Sequence, residues 1–100
     1  MPNPRLAELL RVLALEARGG DVFRGACERH PHGRIFGGQV CAQALVAAAR
    51  TADGRSAHSL HAYFLRRGDA SLPIDFAVER LRDGVSFASR AVVARQRDRA

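Results

Sequence analysis

The chain turns on the stretch from Arg34 to Arg50, RIFGGQVCAQALVAAAR. Two glycines, Gly37 and Gly38, open a run that is apolar almost all the way round a helix. Only Gln39, Gln43 and Arg50 interrupt it, and their spacing lines them up on one narrow stripe. A helix apolar on nearly every face is expected to be enclosed by other structure. Ala44, Ala47, Ala48 and Ala49 leave room for a sheet to come close to its axis. At its start, residues without Cβ let a ligand or a neighbouring backbone approach the first-turn amides, which have no intrahelical partners. Those amides, with the positive end of the helix dipole, favour a carbonyl oxygen or an anion. Gly-Gly ahead of a helix is also an ordinary tight entry.

The flanking segments are simpler to read. Asn3 followed by Pro4 is an N-cap with proline at the first helical position. Leu6, Leu9, Leu10 and Leu13 then form an amphipathic stripe, with Glu8 and Arg11 facing solvent within pairing distance. This helix should fade near Leu15, before Gly19-Gly20, and act as a lid on the domain or a contact surface. Asp21 to Arg29 reads as a short strand in which Gly25 marks a bulge or a close approach. His30-Pro31-His32-Gly33 is turn chemistry, and without further ligands the two histidines do not make a metal site.

Past the central helix, Thr51 to Arg55 is a loop. Ser56 to Arg66 alternates, with His58, Leu60, Ala62 and Phe64 on one face and Ser59, His61, Tyr63 and Leu65 on the other, the period of a strand. His58 and His61 then point to opposite faces and do not share one metal or one proton relay. After Gly68-Asp69, residues 73 to 97 read as one antiparallel hairpin turning at Asp83-Gly84. Ile74, Phe76 and Val78 fill one face of its first strand. The return strand carries Val85, Phe87, Ser89, Ala91 and Val93 on one face, with Ser86, Ala88, Arg90, Val92, Ala94 and Gln96 on the other. Helix, short strand, buried helix and three long strands make an α+β fold: a curved antiparallel sheet wrapped around a long central helix, the shape of a hotdog domain.

Composition narrows the function classes. The net charge is +6 and every basic residue is Arg, but the arginines are scattered among acids. Neither a basic stripe nor a nucleic-acid-binding module is present, so no nucleic-acid partner is expected. Cys27 and Cys41 lack metal-ligand spacing, and Cys41 in the central helix behaves as a small apolar residue. A cytoplasmic location without a disulfide is expected, because no charged-then-apolar leader follows Met1. The longest apolar run, Ala44 to Ala49, is too short to span a bilayer.

VFRG, RIFGGQVCAQALVAAARTA, HSLHAYFLRRGD and PIDFAVERLRDGVSFASRAVVARQ occur in the order and spacing that resemble the N-terminal hotdog repeat of the acyl-CoA thioesterase II family. Arg67 stands where that family usually has proline. The resemblance implies that residues 1–100 are one such repeat, without its final strand and without a second repeat. It further implies hydrolysis of fatty acyl-CoA to free fatty acid and coenzyme A by a double-hotdog enzyme that assembles into homo-oligomers. No metal and no cofactor are implied. The family's catalytic Asp, Thr or Ser, and Gln lie in the second repeat, so that triad transfers to no residue of this chain. Gly37, Gly38 and Gln39 fall on the motif that opens the central helix and are the implied substrate-binding residues. Gln39, His58 and Gln96 are the weaker catalytic candidates, Gln96 because it stands roughly where the second repeat has its Gln. Arg82 and Asp83 read as hairpin chemistry with a local ion pair. Two other functions stay open: a non-catalytic module that binds acyl-CoA or another hotdog subunit, and a hotdog dehydratase using His58. The latter would need a carboxylate where Gln39 stands.

Overall fold

The computed structural model describes residues 3–27, 37–66 and 68–97. The His30–Gly33 turn, the Arg34–Phe36 lead into the central helix, and Arg67 lie outside these residues. The elements are α1 (Pro4–Leu13), β1 (Glu16–Gly19), β2 (Val22–Gly25), α2 (Gly37–Ala49), β3 (Ile74–Asp83) and β4 (Ala88–Arg95). The strands form one antiparallel sheet in the order β1-β2-β3-β4, against which α2 packs.

Helix α1 starts as its sequence dictates: the Asn3 side-chain oxygen accepts from the Arg5 amide at 2.9 Å, with Pro4 in the first turn. Glu8 and Arg11 pair at 2.5 Å, and Arg11 also donates to the Cys27 carbonyl at 2.6 Å. The leucine stripe faces largely outward. Val12 and the following Leu15 are the buried residues, whereas Leu6, Leu9 and Leu10 are exposed. The helix ends two residues before Leu15, and the chain then enters β1, an element absent from the sequence expectation. EARG shows no alternation because all four of its residues are exposed. Its partner makes it a strand: Glu16 pairs with Arg24 and Ala17 with Phe23. Gly19, Gly20 and Asp21 supply the positive φ angles of the turn.

The core follows the alternation of β3. Ile74, Phe76 and Val78 are buried together with Phe23 on β2, Ala47 on α2, Leu15 and Cys27, while Val92 and Ala94 of β4 pack against them. Fully burying a side chain like Phe76 contributes about 1.5–3 kcal/mol. The β3–β4 hairpin forms with Phe76 opposite Ala94 and Val78 opposite Val92. Its turn lies two residues later than expected. Gly84 and Phe87 are hydrogen-bonded across the loop (amide to carbonyl, 2.8 Å), so Val85 and Phe87 belong to the exposed tip. The ion pair also differs in partner: Asp83 meets Arg90 at 2.6 Å.

Residues 56–66 are the main departure. They alternate as a strand should, yet they join no ladder and make no backbone hydrogen bond among the described residues. Extended chain becomes sheet only beside a partner edge, and this run stands away from β4.

Candidate active site

Two surfaces of α2 divide the molecule. The stripe of Gln39, Gln43 and Ala47 is buried, so the two glutamines that interrupt the apolar run lie on the enclosed side. Gln43 is 0% exposed. Its amide donates to the Val12 carbonyl at 2.8 Å and to the Ala26 carbonyl at 2.7 Å, and its oxygen accepts from Gln39 at 3.0 Å. An amide satisfied on all sides can be buried at little net cost. Gly25 makes this approach possible, because a Cβ there would lie 2.6 Å from Gln43 Nε2 and 2.9 Å from Leu15 Cδ2. The close approach expected at Gly25 is therefore present. On the same side, Arg50 lies 4.7 Å over the Phe23 ring and donates to the Leu15 carbonyl at 2.7 Å.

The other surface of α2, with Val40, Cys41, Ala44, Leu45 and Ala48, floors an open cavity of about 1630 Å³. One wall is β4 and the other is residues 56–66. Gly37 opens onto this space, and a Cβ on it would lie 3.3 Å from the Phe64 ring. Gly38 beside it is exposed, and no acidic residue in the first turn offsets the helix dipole.

The sequence-derived candidates do not converge. Gln39 is 5% exposed and its amide is turned inward to Gln43. His58 sits edge-on to Phe87 at 5.6 Å, at the entrance to β4, whereas Gln96 lies past the far end of that strand. Nine residues of extended chain span about 30 Å, so these two side chains belong to no common centre. The Gln96 amide donates to the carbonyls of Asp69 (2.8 Å) and Leu72 (3.1 Å), and its oxygen accepts from the Asp69 amide at 2.9 Å. His61 stacks on Tyr63 at 4.8 Å. Among the described residues no group of three or more His, Cys, Asp or Glu could hold a metal ion. The Cys27 thiol is pushed up by burial, partly opposed by a hydrogen bond with Gln39, so it is a poor nucleophile.

Two residues matter more than sequence reasoning allowed. Gln43 figured only as an interruption, although two glutamines a helical turn apart in an apolar run are a signal of a buried amide pair. Arg90 reaches across from β4 to the end of α2, donating to Thr51 Oγ1 at 2.7 Å and to the Thr51 carbonyl at 2.9 Å. Nothing local to Arg90 announces that role.

Comparison with known proteins decides the family. The profile of the acyl-CoA thioesterase N-terminal domain matches residues 27–100. The chain belongs to that family. Acyl-coenzyme A thioesterase 8 of Homo sapiens is 50% identical over 86 residues, 85% of this chain and 27% of that protein. Acyl-CoA thioesterase 2 of Haemophilus influenzae is 45% identical over 92 residues, 91% of this chain and 32% of that protein. Among solved structures, a TesB protein of Mycobacterium avium subspecies paratuberculosis superposes with a TM-score of 0.91 at 48% identity, over 94% of this chain and 38% of that one. The acyl-CoA thioesterase II TesB2 of Mycobacterium marinum gives 0.79 at 47%, over 89% and 32%. The fold is thus the hotdog fold of the TesB thioesterases, and the chain spans about a third of the length of the relatives it matches.

Proposed function

We propose that this chain is the N-terminal repeat of an acyl-CoA thioesterase, which hydrolyses fatty acyl-CoA to free fatty acid and coenzyme A once a second repeat is present. The observation that carries this is the family match, together with 45–50% identity to relatives named acyl-CoA thioesterases. In this reading Gly37 and Gly38 present the α2 amides to the thioester carbonyl. Hydrogen bonds to an oxygen that gains charge in the transition state lower the barrier by about 3 kcal/mol per donor. Gln39 contributes through its backbone and through its bond to Gln43, which holds the helix entry in place. The acid, hydroxyl and amide groups that activate water come from the second repeat. The site assembles in a homo-oligomer in the cytoplasm; among the described residues no helix is long and apolar enough to cross a membrane.

The test is release of the free thiol from medium- and long-chain acyl-CoA by the protein carrying both repeats. No cleavage above background at any chain length removes the proposal. A second reading, that the hundred-residue chain alone is a non-catalytic acyl-CoA-binding or assembly module, is favoured by one fact. Gln39 and Gln96 are engaged in structural hydrogen bonds, and His58 rests on Phe87. The dehydratase reading has no such support, because the position opening α2 holds a buried amide where it needs a carboxylate. An unchanged dehydration rate in His58→Ala would dispose of it.

A further inference from the structure

A line of hydrogen bonds runs through the buried side of α2 and crosses its first turn. It begins at the end of α1. There the carbonyls of Leu10 and Arg11 accept from the Ala14 amide, and that of Leu13 accepts from Leu15. The Val12 carbonyl takes its bond from outside the helix, from the Gln43 side chain at 2.8 Å. The other N–H of the same amide donates to the Ala26 carbonyl, just past β2, at 2.7 Å. Both donors of Gln43 are thereby spent, so its oxygen faces Gln39, whose amide donates to it at 3.0 Å. Gln39 also hydrogen-bonds with the Cys27 thiol, which in turn donates to the Leu72 carbonyl at 3.4 Å. That carbonyl accepts as well from Gln96, beyond β4, at 3.1 Å. Segments far apart in sequence are thus tied to one residue in the first turn of α2.

Buried amides contribute little net stability, because each first gives up its bonds to water. What they add is direction. Apolar contacts tolerate sliding, whereas a hydrogen bond holds its heavy atoms about 2.7–3.2 Å apart and prefers one line of approach. Two glutamines one helical turn apart, bonded to carbonyls of other segments, therefore set both the rotation of α2 about its axis and its position along it. Gln43 lies about 8 Å along the axis from Gly38. It is fully buried, so it has no face toward a substrate. The amides of Gly37 and Gly38, next to Gln39, move with the setting of the helix. A group aimed at a reacting atom loses much of its effect when displaced by about 1 Å.

We infer that Gln43 is a positioning residue for the α2 entry. Acting through Gln39, it aligns the Gly37 and Gly38 amides, and it makes the seating of α1 part of that alignment. The role rests on the proposed thioesterase reading, in which those amides meet the thioester carbonyl. No residue of α1 lines the cavity beside α2. α1 acts on the entry from behind the central helix, because the carbonyl that seats the Gln43 amide belongs to its last turn.

The experiment uses the protein carrying both repeats, isotope-labelled at glycine. Gln43→Leu and Gln39→Leu are compared with the parent and with Val78→Ala, a core control on β3 whose stability loss is measured alongside. Thiol release is followed over a range of acyl-CoA concentrations. Gln43→Leu and Gln39→Leu are expected to lower kcat by about 10- to 100-fold while KM stays within about twofold. Gln43→Leu should also shift the amide resonances of Gly37 and Gly38, and Val78→Ala should move neither kcat nor those resonances. A loss of kcat in Val78→Ala as large as in Gln43→Leu overturns the inference, since the cause is then stability. So does an unchanged kcat in Gln43→Leu, or a raised KM at constant kcat, which marks lost ground-state binding. Where Gln43→Leu does not fold, Gln39→Leu decides by the same readouts, because it leaves the bonds to Val12 and Ala26 in place. A parent protein that releases no thiol sinks the thioesterase reading alone. The glycine resonances then decide the role of Gln43, and unmoved signals count against it.

Discussion

The two sides of α2 solve opposite problems. On the side of α1 and β2 the helix offers glutamines, and the chain answers with backbone carbonyls from two distant segments, a glycine cut away to admit the amide, and the closed core around Phe76. On the side of residues 56–66 the helix offers alanine, valine and cysteine, and the chain leaves a cavity. The stripe with both glutamines is the fully buried one, and the half-buried apolar face lines the cavity. Full burial of the glutamines is thus decided by whether each group finds its partner, which hydrophobicity alone does not foresee.

Substitutions separate the two sides by size of effect. The largest is expected from Phe76→Ala in the closed core, at about 3–5 kcal/mol of unfolding free energy in urea titration. Next is Gln43→Ala, which leaves the Val12 and Ala26 carbonyls without their donor and should cost about 2–3 kcal/mol. If Gln96→Ala, at the rim of the open side, costs as much, the contrast between the two sides fails; a half-buried hydrogen-bonded amide at the rim is worth about 1 kcal/mol. Gly25→Ala should cost about 1–3 kcal/mol through overpacking against Gln43 and Leu15. Tyr63→Ala, on the exposed run of 56–66, should change stability by no more than about 0.5 kcal/mol. A loss several times larger would mean that this run is already packed.

The acid limb tests the closed side by another route. Hydrogen bonding to Arg24 holds the Asp75 carboxyl below its ordinary 3.8, and Arg80 does the same for Asp21. Because these folded-state values are depressed, the unfolded chain binds more protons as pH falls. The stability they contribute is complete above the ordinary carboxylate value, and it is lost as pH drops through the lower folded values. The urea midpoint should therefore fall below about pH 4, and Asp75→Asn should flatten part of that fall. Both pairs are partly exposed, so the effect should be small and should shrink in high salt.

Much of the fold is legible in local sequence. The Asn3-Pro4 cap and the alternation of Ile74, Phe76 and Val78 reside in residues that act on their immediate neighbours, and Gly25 could be marked as a close approach, although its neighbours, Gln43 and Leu15, come from elsewhere in the chain. The family of the protein is legible for the same reason, since its motifs are strings of adjacent residues. The candidate site is less so. Gly37 and Gly38 could be marked as a helix entry, but the direction in which Gln39 points depends on Gln43, and that in turn on α1.

Sequence alone therefore determined the helices α1 and α2, the alternation of β3 and where the chain had to admit a close neighbour, because periodicity and missing side-chain atoms are properties of each segment by itself; β1, exposed at every residue, carries no such pattern. Only the tertiary structure decided that the glutamine stripe of α2 turns inward, since its acceptors lie 31 and 17 residues away along the chain. It also decided that residues 56–66, alternating as a strand does, remain unpaired. An extended segment becomes part of a sheet through hydrogen bonds to an adjacent backbone, and no pattern within the segment can supply that neighbour.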